Sequence, residues 1–322
     1  MKKILRIVGL LVLLVVVAVA GFATFVAARG VPTYDKPTPA PLTVARTEVR
    51  VLRGQKIASM LCVQCHSVPG QTLKGKPMVD LPAEFGEIWS ANITQDRKHG
   101  IGAWSDAEVV HLLRTGVRPD GRYAVVMPQF PHMSDADIQS VVAWLRSADP
   151  VVQPDPTPTH PNQFNFLVKA LTNTVMKPLP APAAPIPAPD TTNQVAYGRY
   201  VADNLIACYA CHSADFKKMN PLHPEQSAGY YGGGNPMLNL QRETVLSANL
   251  TPDETTGLAA HYSEANFVRA VRFGQRYDGT PLRYPMMPHS GLSDSETKAI
   301  YAYLQTIPAI KNPVAPNAIA AQ

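Results

Sequence analysis

The chain has 322 residues, enough for about two domains, and 46% of them are hydrophobic, which excludes wholesale disorder. Only 16% are charged, while 31 prolines are about twice the ordinary share. A formal charge of +5 could suit nucleic acid, but Lys2, Lys3 and Arg6 precede an apolar segment, and without them the balance is +2. No nucleic-acid partner is expected.

Ile7 to Ala28 is an unbroken apolar run without a charge, long enough for a bilayer that needs about 20 residues. It continues past the small-residue sequence Ala18-Val19-Ala20, so an uncleaved signal-anchor over residues 1–30 is favoured over a cleaved peptide. Cationic flanks stay inside, which puts the remainder outside the cytoplasm. Residues 31–46, with Pro32, Pro37, Pro39 and Pro41, read as a stiff stalk. A first block follows at 47–149. Eleven prolines between Pro150 and Pro189 then mark an extended linker over 150–190, in which 164–176 is apolar enough for a short helix docking on a domain. A second block spans 191–308, and the tail 309–322 is expected to be loose.

Within the blocks the pattern is helical. A helix is expected before each cysteine pair, over about 47–61 and 194–206. Ser105-Asp-Ala-Glu108, Ser134-Asp-Ala-Asp137 and Ser293-Asp-Ser-Glu296 have the form of capping boxes ahead of apolar-periodic runs. No strand alternation is evident over any length.

The blocks repeat one another. Cys62-Val-Gln-Cys65-His66 matches Cys208-Tyr-Ala-Cys211-His212, and Ser90-Ala-Asn-Ile-Thr94 matches Ser247-Ala-Asn-Leu-Thr251. Trp104-Ser105 pairs with Tyr262-Ser263, Gly116 with Gly274, and Asp120-Gly121 with Asp278-Gly279. Met127-Pro128 and Met287-Pro288 follow, then Ser134-Asp135 and Ser293-Asp294. Such an ordered series means duplication. The Gly-rich stretch Ala228 to Gly234 looks like an insertion, and it lacks the Lys-Ser/Thr and strand context of a phosphate loop.

All four cysteines lie in Cys-x-x-Cys-His pentapeptides, the attachment pattern of c-type haem. Cys62 and Cys65, and likewise Cys208 and Cys211, can reach the two vinyl groups of one porphyrin from one helical turn. His66 and His212 then face the iron. A thioredoxin-like dithiol lacks its βαβ context, a four-cysteine zinc site would need the distant pairs to converge, and disulfides leave the histidines unexplained. Two covalent haems are expected.

Met127 and Met287, each before a proline and late in its repeat, are the candidate sixth ligands; a soft thioether favours ferrous iron and raises the potential. Met133 and Met286 are rivals, His132 and His289 would permit bis-histidine iron, and methionines in apolar loops also serve as core fillers. Trp104, Tyr262, Asn92, Asn249, Arg114 and Arg272 recur and could touch haem or its propionates; the aromatics could equally be core and the arginines solvated. The Pro69 carbonyl could orient His66.

The pentapeptides, the Ala-Asn-Ile-Thr stretch, Gly100-Ile-Gly-Ala-Trp104-Ser105 and Met127-Pro128 resemble the cytochrome c subunits of membrane-bound alcohol, gluconate and fructose dehydrogenases. The resemblance implies an all-α chain of two tandem class I-like cytochrome c domains with His/Met iron. Those subunits usually carry three haem domains. The expected function is electron transfer, one electron at a time, at the periplasmic side of a bacterial inner membrane. The donor would be a dehydrogenase and the acceptor an oxidase or another cytochrome. The rival is a dihaem peroxidase, which needs one iron with an open sixth position and hence unequal domains. A redox sensor would need an output domain on the cytoplasmic side.

Overall fold

The computed structural model describes residues 1–314. α1 (Lys2–Arg29) has a mean hydropathy of 2.9 over an 18-residue window, and almost all of its apolar side chains are exposed. Among the described residues it is the one helix long and apolar enough to cross a membrane. The proline-rich stretch after it is extended, as its composition predicts, but it lies on the first repeat. The Tyr34 amide donates to the Gly121 carbonyl (2.9 Å), and Val44 is buried with its amide on Asp106 Oδ2 (2.9 Å).

The first repeat contains α2 (Glu48–Leu61), α3 (Val63–His66), α4 (Asp106–Thr115) and α5 (Asp135–Leu145). Thr47 caps α2, and a full capping box from Ser105 and Glu108 opens α4. α2 crosses α5 at Gly54, where an added Cβ would lie 1.8 Å from the Ser140 carbonyl oxygen. Only glycine permits that approach. Ser134 caps α5, yet Asp137 does not complete the predicted box: its carboxylate is taken by Arg53 and by the Tyr200 hydroxyl.

The linker is not simply an extended strap. α6 (Phe166–Thr174) packs on α1, with Asn173 Nδ2 donating to the Gly30 carbonyl (2.8 Å), and on a 3₁₀ turn at Ala83–Phe85. The predicted short helix therefore docks at the foot of the apolar helix as well as on the first repeat. β1 (Gly86–Glu87) and β2 (Gln163–Phe164) pair antiparallel beside it.

The second repeat follows the same plan with α7 (Gln194–Arg199), α8 (Cys208–His212), α9 (Glu264–Phe273) and α10 (Asp294–Leu304). α7 crosses α10 at Gly198, whose added Cβ would again lie 1.8 Å from a carbonyl oxygen, that of Ala299. Between α7 and α8 the chain makes a π-helical turn, Tyr200–Leu205, which the first repeat lacks. β3 (Pro236–Leu238) and β4 (Thr244–Leu246) form a second antiparallel pair. Ladders of two and three residues are too short to give a period-two pattern, so no strand was legible. The start of the tail is held: Asn249 Nδ2 donates to the Ile310 carbonyl (2.7 Å) and Asn312 Nδ2 to that of Gly232 (2.9 Å). Residues 315–322 of the expected loose tail lie outside the described residues.

Candidate functional site

Each cysteine pair lies on one turn of helix. Cys62 ends α2 and leads into α3, which carries Cys65 and His66, while Cys208, Cys211 and His212 all belong to α8. Positions i, i+3 and i+4 share a helix face, so two thiols and an imidazole emerge together. All four thiols are free. Burial pushes the Cys62 thiol up to about 12 and raises Cys65, Cys208 and Cys211 as well, so they are neutral thiols rather than reactive thiolates.

The histidines are oriented alike. His66 Nδ1 lies 2.7 Å from the Ala91 carbonyl, and His212 Nδ1 lies 2.9 Å from that of Ala248. Ala91, not Pro69, therefore supplies the orienting carbonyl, and the second repeat has the same device. A backbone acceptor fixes the tautomer with the proton on Nδ1 and leaves the Nε2 lone pair free. Burial lowers both imidazole pKa values, and the nearby charges of Arg118 and Lys76 lower that of His66 further, which keeps the rings neutral. The backbone of each histidine is also held, His66 O by the Gly75 amide (2.8 Å) and His212 O by the Gly233 amide (2.7 Å).

The recurring Ser-Ala-Asn-(Ile/Leu)-Thr stretch is thus the brace of the site. Ser90 Oγ donates to the Cys65 carbonyl (2.6 Å). Asn92 accepts from the Thr94 amide and hydroxyl and donates to the linker carbonyls of Asp155 (2.9 Å) and Thr157 (2.8 Å). Asn249 repeats the arrangement with Thr251 and Ile310. Both asparagines are buried, and their side chains hold the chain segments that return past the site.

The residues fit a covalently bound haem. Two free thiols and an imidazole with an uncommitted Nε2 share a turn, and half-buried apolar side chains, including Ile93, Trp104 and Met127 in one repeat and Leu250 and Tyr262 in the other, pack on the core. Among the described residues no group of three or more His, Cys, Asp or Glu is arranged to hold a metal ion directly, so the cysteine pairs do not converge on a zinc site.

The candidate sixth ligands separate. Met133 is a core residue, 1% exposed, and His132 Nε2 is bonded to the Leu222 carbonyl of the other repeat (2.9 Å); Met127 is half-buried. In the second repeat two registers compete. Phe130 and His289 donate to the third residue before Gly116 and Gly274 respectively, which aligns Met286 with Met127 along the backbone, while the Met-Pro sequence aligns Met287. His289 lies near enough to His212 for its charge to be felt, and its Nδ1 is buried without a partner.

Arg114 is not solvated. It is 3% exposed, bonded to the carbonyls of Phe130, Pro131 and Met133 and to Asp135, and so clamps the loop that follows Met127 onto α4. Arg272 pairs with Asp294. The sequence reading missed a different matched pair, Arg118 and Arg276, each two residues past the glycine that ends α4 or α9. The Arg118 amide bonds the Arg122 carbonyl, that of Arg276 bonds the Thr280 carbonyl, and the Arg118 charge reaches His66. Counting two residues on from Gly116 and Gly274 would have found them.

Comparison with known proteins agrees with this geometry. Residues 51–149 match the family model of cytochrome c. The chain is 30% identical over 285 residues to a subunit of the nicotinate dehydrogenase of Pseudomonas putida, covering 83% of this chain and 22% of that protein. It is 29% identical over 263 residues to the cytochrome c subunit of the quinone-dependent alcohol dehydrogenase of Gluconacetobacter polyoxogenes, covering 77% of this chain and 54% of that subunit. It is 28% identical over 265 residues to a diheme c-type cytochrome of Cereibacter sphaeroides, covering 78% and 83%. The chain thus spans about a fifth of the first relative and about half of the second. Residues 51–149 form a cytochrome c domain, in a chain that resembles the cytochrome c subunits of dehydrogenases.

Proposed function

We propose that the chain is a membrane-tethered dihaem c-type cytochrome that carries electrons one at a time from a dehydrogenase to a respiratory-chain acceptor. The observation that carries the proposal is the recurrence of one device in both repeats: a Cys-x-x-Cys-His turn whose histidine is tied back through Nδ1 to an alanine carbonyl. Bound haem iron supplies a reversible one-electron change of valence. The chain's own groups attach it through Cys62, Cys65, Cys208 and Cys211, aim the His66 and His212 Nε2 atoms, and exclude water with apolar side chains.

In this reading residues 47–149 and 191–308 are two tandem class I-like cytochrome c domains. α1 is a single-pass anchor whose Lys2, Lys3 and Arg6 stay on the cytoplasmic side, so the domains face the periplasm of a bacterial inner membrane. Met127 supplies the sixth ligand in the first domain, and Met287 of the Met286-Met287 pair supplies it in the second. The shared backbone plan of the repeats favours a carrier over a peroxidase, which needs one iron open to substrate.

The test is spectroscopic. The membrane-extracted protein should contain two c-type haems per chain, both low-spin, with a near-infrared band for methionine sulfur on ferric iron. Met127→Leu and Met287→Leu should each remove about half of the band. Loss with Met286→Leu instead would move the ligand by one residue, and bis-histidine iron removed by His289→Leu would replace it. A high-spin haem or rapid turnover of hydrogen peroxide would sink the carrier reading.

A further inference from the structure

The two repeats share a backbone plan, but the second, whose path from crossing glycine to cysteine pair is two residues longer, buries a carboxylate ahead of its cysteines. In the first repeat Ile57, five residues before Cys62, is fully buried with Leu73 and Trp144 in the apolar core. In the second the residue five before Cys208 is Asp203, 5% exposed. Leu73 and Tyr231 are counterparts, since their carbonyls accept the matching amides of Ile93 and Leu250. Trp144 and Tyr303 are the aromatics at the ends of α5 and α10. The stretch Ala228 to Gly234 is therefore no mere insertion: its tyrosines replace an apolar wall.

Three phenols converge on the Asp203 carboxylate. Tyr231 donates to Oδ1 (2.7 Å), while Tyr230 (2.6 Å) and Tyr303 (3.2 Å) donate to Oδ2. The Tyr230 and Tyr303 hydroxyls also bond each other at 2.7 Å. Asp203 lies in the π-helical turn Tyr200–Leu205, a form of backbone found often at functional sites. That turn leads into α8, and the Asp203 charge is felt by the Cys208 thiol and by Tyr209 between the two attachment cysteines. The other charge facing it is Arg199, whose Nε is 3.6 Å from Oδ2 and which also bonds Glu225. Arg199 is about half exposed, so the carboxylate has a polar route to water.

We infer that Asp203 is a proton-binding site coupled to the haem of the second repeat, taking up one proton when that haem is reduced and releasing it on reoxidation. For each electron delivered by a one-electron donor protein, one proton from water adds to a carboxylate oxygen of Asp203. The electron later leaves to the acceptor and the proton returns to solvent. Loss of positive charge at the iron weakens the attraction that holds the carboxylate ionised. Hydroxyls both donate and accept, so the tyrosine cage satisfies the carboxylate and the neutral acid alike. Burial already raises the Asp203 pKa above the ordinary carboxylate value, against the pull of the tyrosines and Arg199. In the first repeat the residue at the same spacing before the cysteine pair is the apolar Ile57.

The inference rests on the second repeat holding a haem, which a haem count establishes separately. Both midpoint potentials of the holoprotein are measured by spectroelectrochemistry against pH. One should fall with rising pH, approaching about 59 mV per tenfold change in proton concentration, the constant for a one-electron couple. Asp203→Asn should remove that slope and leave the other potential in place. Tyr230→Phe and Tyr231→Phe take donors from the carboxylate and should shift the sloping window to higher pH. Infrared difference spectra should show a protonated carboxyl on reduction that Asp203→Asn lacks. Flat potentials in the wild type, or a slope that survives Asp203→Asn, overturn the inference. If Asp203→Asn fails to retain its second haem, a window unmoved in both tyrosine variants overturns it. A wild-type count of one haem per chain removes the dihaem reading and this inference with it.

Discussion

Arg53 reaches across the junction between the repeats to Glu296, Nη1 to Oε1 at 3.0 Å, while its Nε and Nη2 hold Asp137 of its own repeat at 2.7 and 2.9 Å. Asp137 and Glu296 are the matching third residues of α5 and α10. Each also meets a residue two places beyond the crossing glycine of the other repeat: Lys56 binds Glu296, and the Tyr200 hydroxyl donates to Asp137 at 2.7 Å. The two helix heads that cap the repeats are thus also the lock between them. A duplicated chain has paired its copies through duplicated positions, with charge on one side and a phenol on the other.

This lock should open in acid. Burial alone would raise the Glu296 pKa, but Lys56, the Ser293 amide and Arg53 bring it down to about 2 from 4.5. A carboxylate depressed in the folded state contributes stability that is present above its unfolded value and is lost as pH falls from about 4.5 toward 2. With Arg53 and Lys56 each about a quarter exposed, screening leaves a contribution of about 2 kcal/mol. Glu296→Gln should be less stable than wild type at pH 7 and close to it near pH 2. Denaturant unfolding across that range, followed at the haem and at the tryptophans, checks both ends of the curve.

Gly54→Ala and Gly198→Ala should each destabilise by about 2 kcal/mol or more, because a methyl group would meet a carbonyl oxygen at 1.8 Å and must push two helices apart. In the dihaem reading, the haem next to the altered crossing should be the one whose spectrum changes, since α2 runs directly into Cys62 and α7 leads through the π turn to Cys208. Gly9→Ala lies in α1 with open space around its Cβ and is the control expected to change nothing in the body. Chemical denaturation and haem content of the three variants decide it.

The pentapeptides were legible because covalent attachment needs residue types at a rigid spacing, and duplication was legible because it repeats residues in order. What the sequence hid was carried by backbone. Ala91 and Ala248 orient the histidines through carbonyls that every residue has, so no residue type marks them in the sequence. Asn92 and Asn249 did stand out as recurring, but their role as ties for returning segments depends on where the linker and tail run. The π turn left no periodic trace, and with it the burial of Asp203 among tyrosines went unread. The extra residue between Gly274 and His289 is why Met286 and Met287 exchange places between the backbone register and the Met-Pro match.

Arg118 and Arg276 carry the remaining prediction. Each sits two residues past a glycine in the left-handed conformation that closes α4 or α9, so the backbone turns sharply and returns the arginine toward the body. Arg276 is 7% exposed, pairs with Asp278 and bears on Tyr262, and the positive charge of Arg118 is felt at the His66 imidazole. A cation felt at the imidazole would oppose added positive charge at a bound iron and so favour its ferrous state. In the dihaem reading, Arg118→Gln should therefore lower the potential of the first haem by roughly tens of millivolts, the order expected for a unit charge acting through an intermediate dielectric. The second potential should stay in place, and Arg276→Gln, whose charge Asp278 partly offsets, should act on the second potential alone and by less. Because Arg122 is exposed and pairs locally with Asp120, Arg122→Gln is the matched charge control and should move neither potential comparably. Potentiometric titration of the three variants at low and moderate salt separates a buried charge near the haem from the general surface field, since salt screens only the latter strongly.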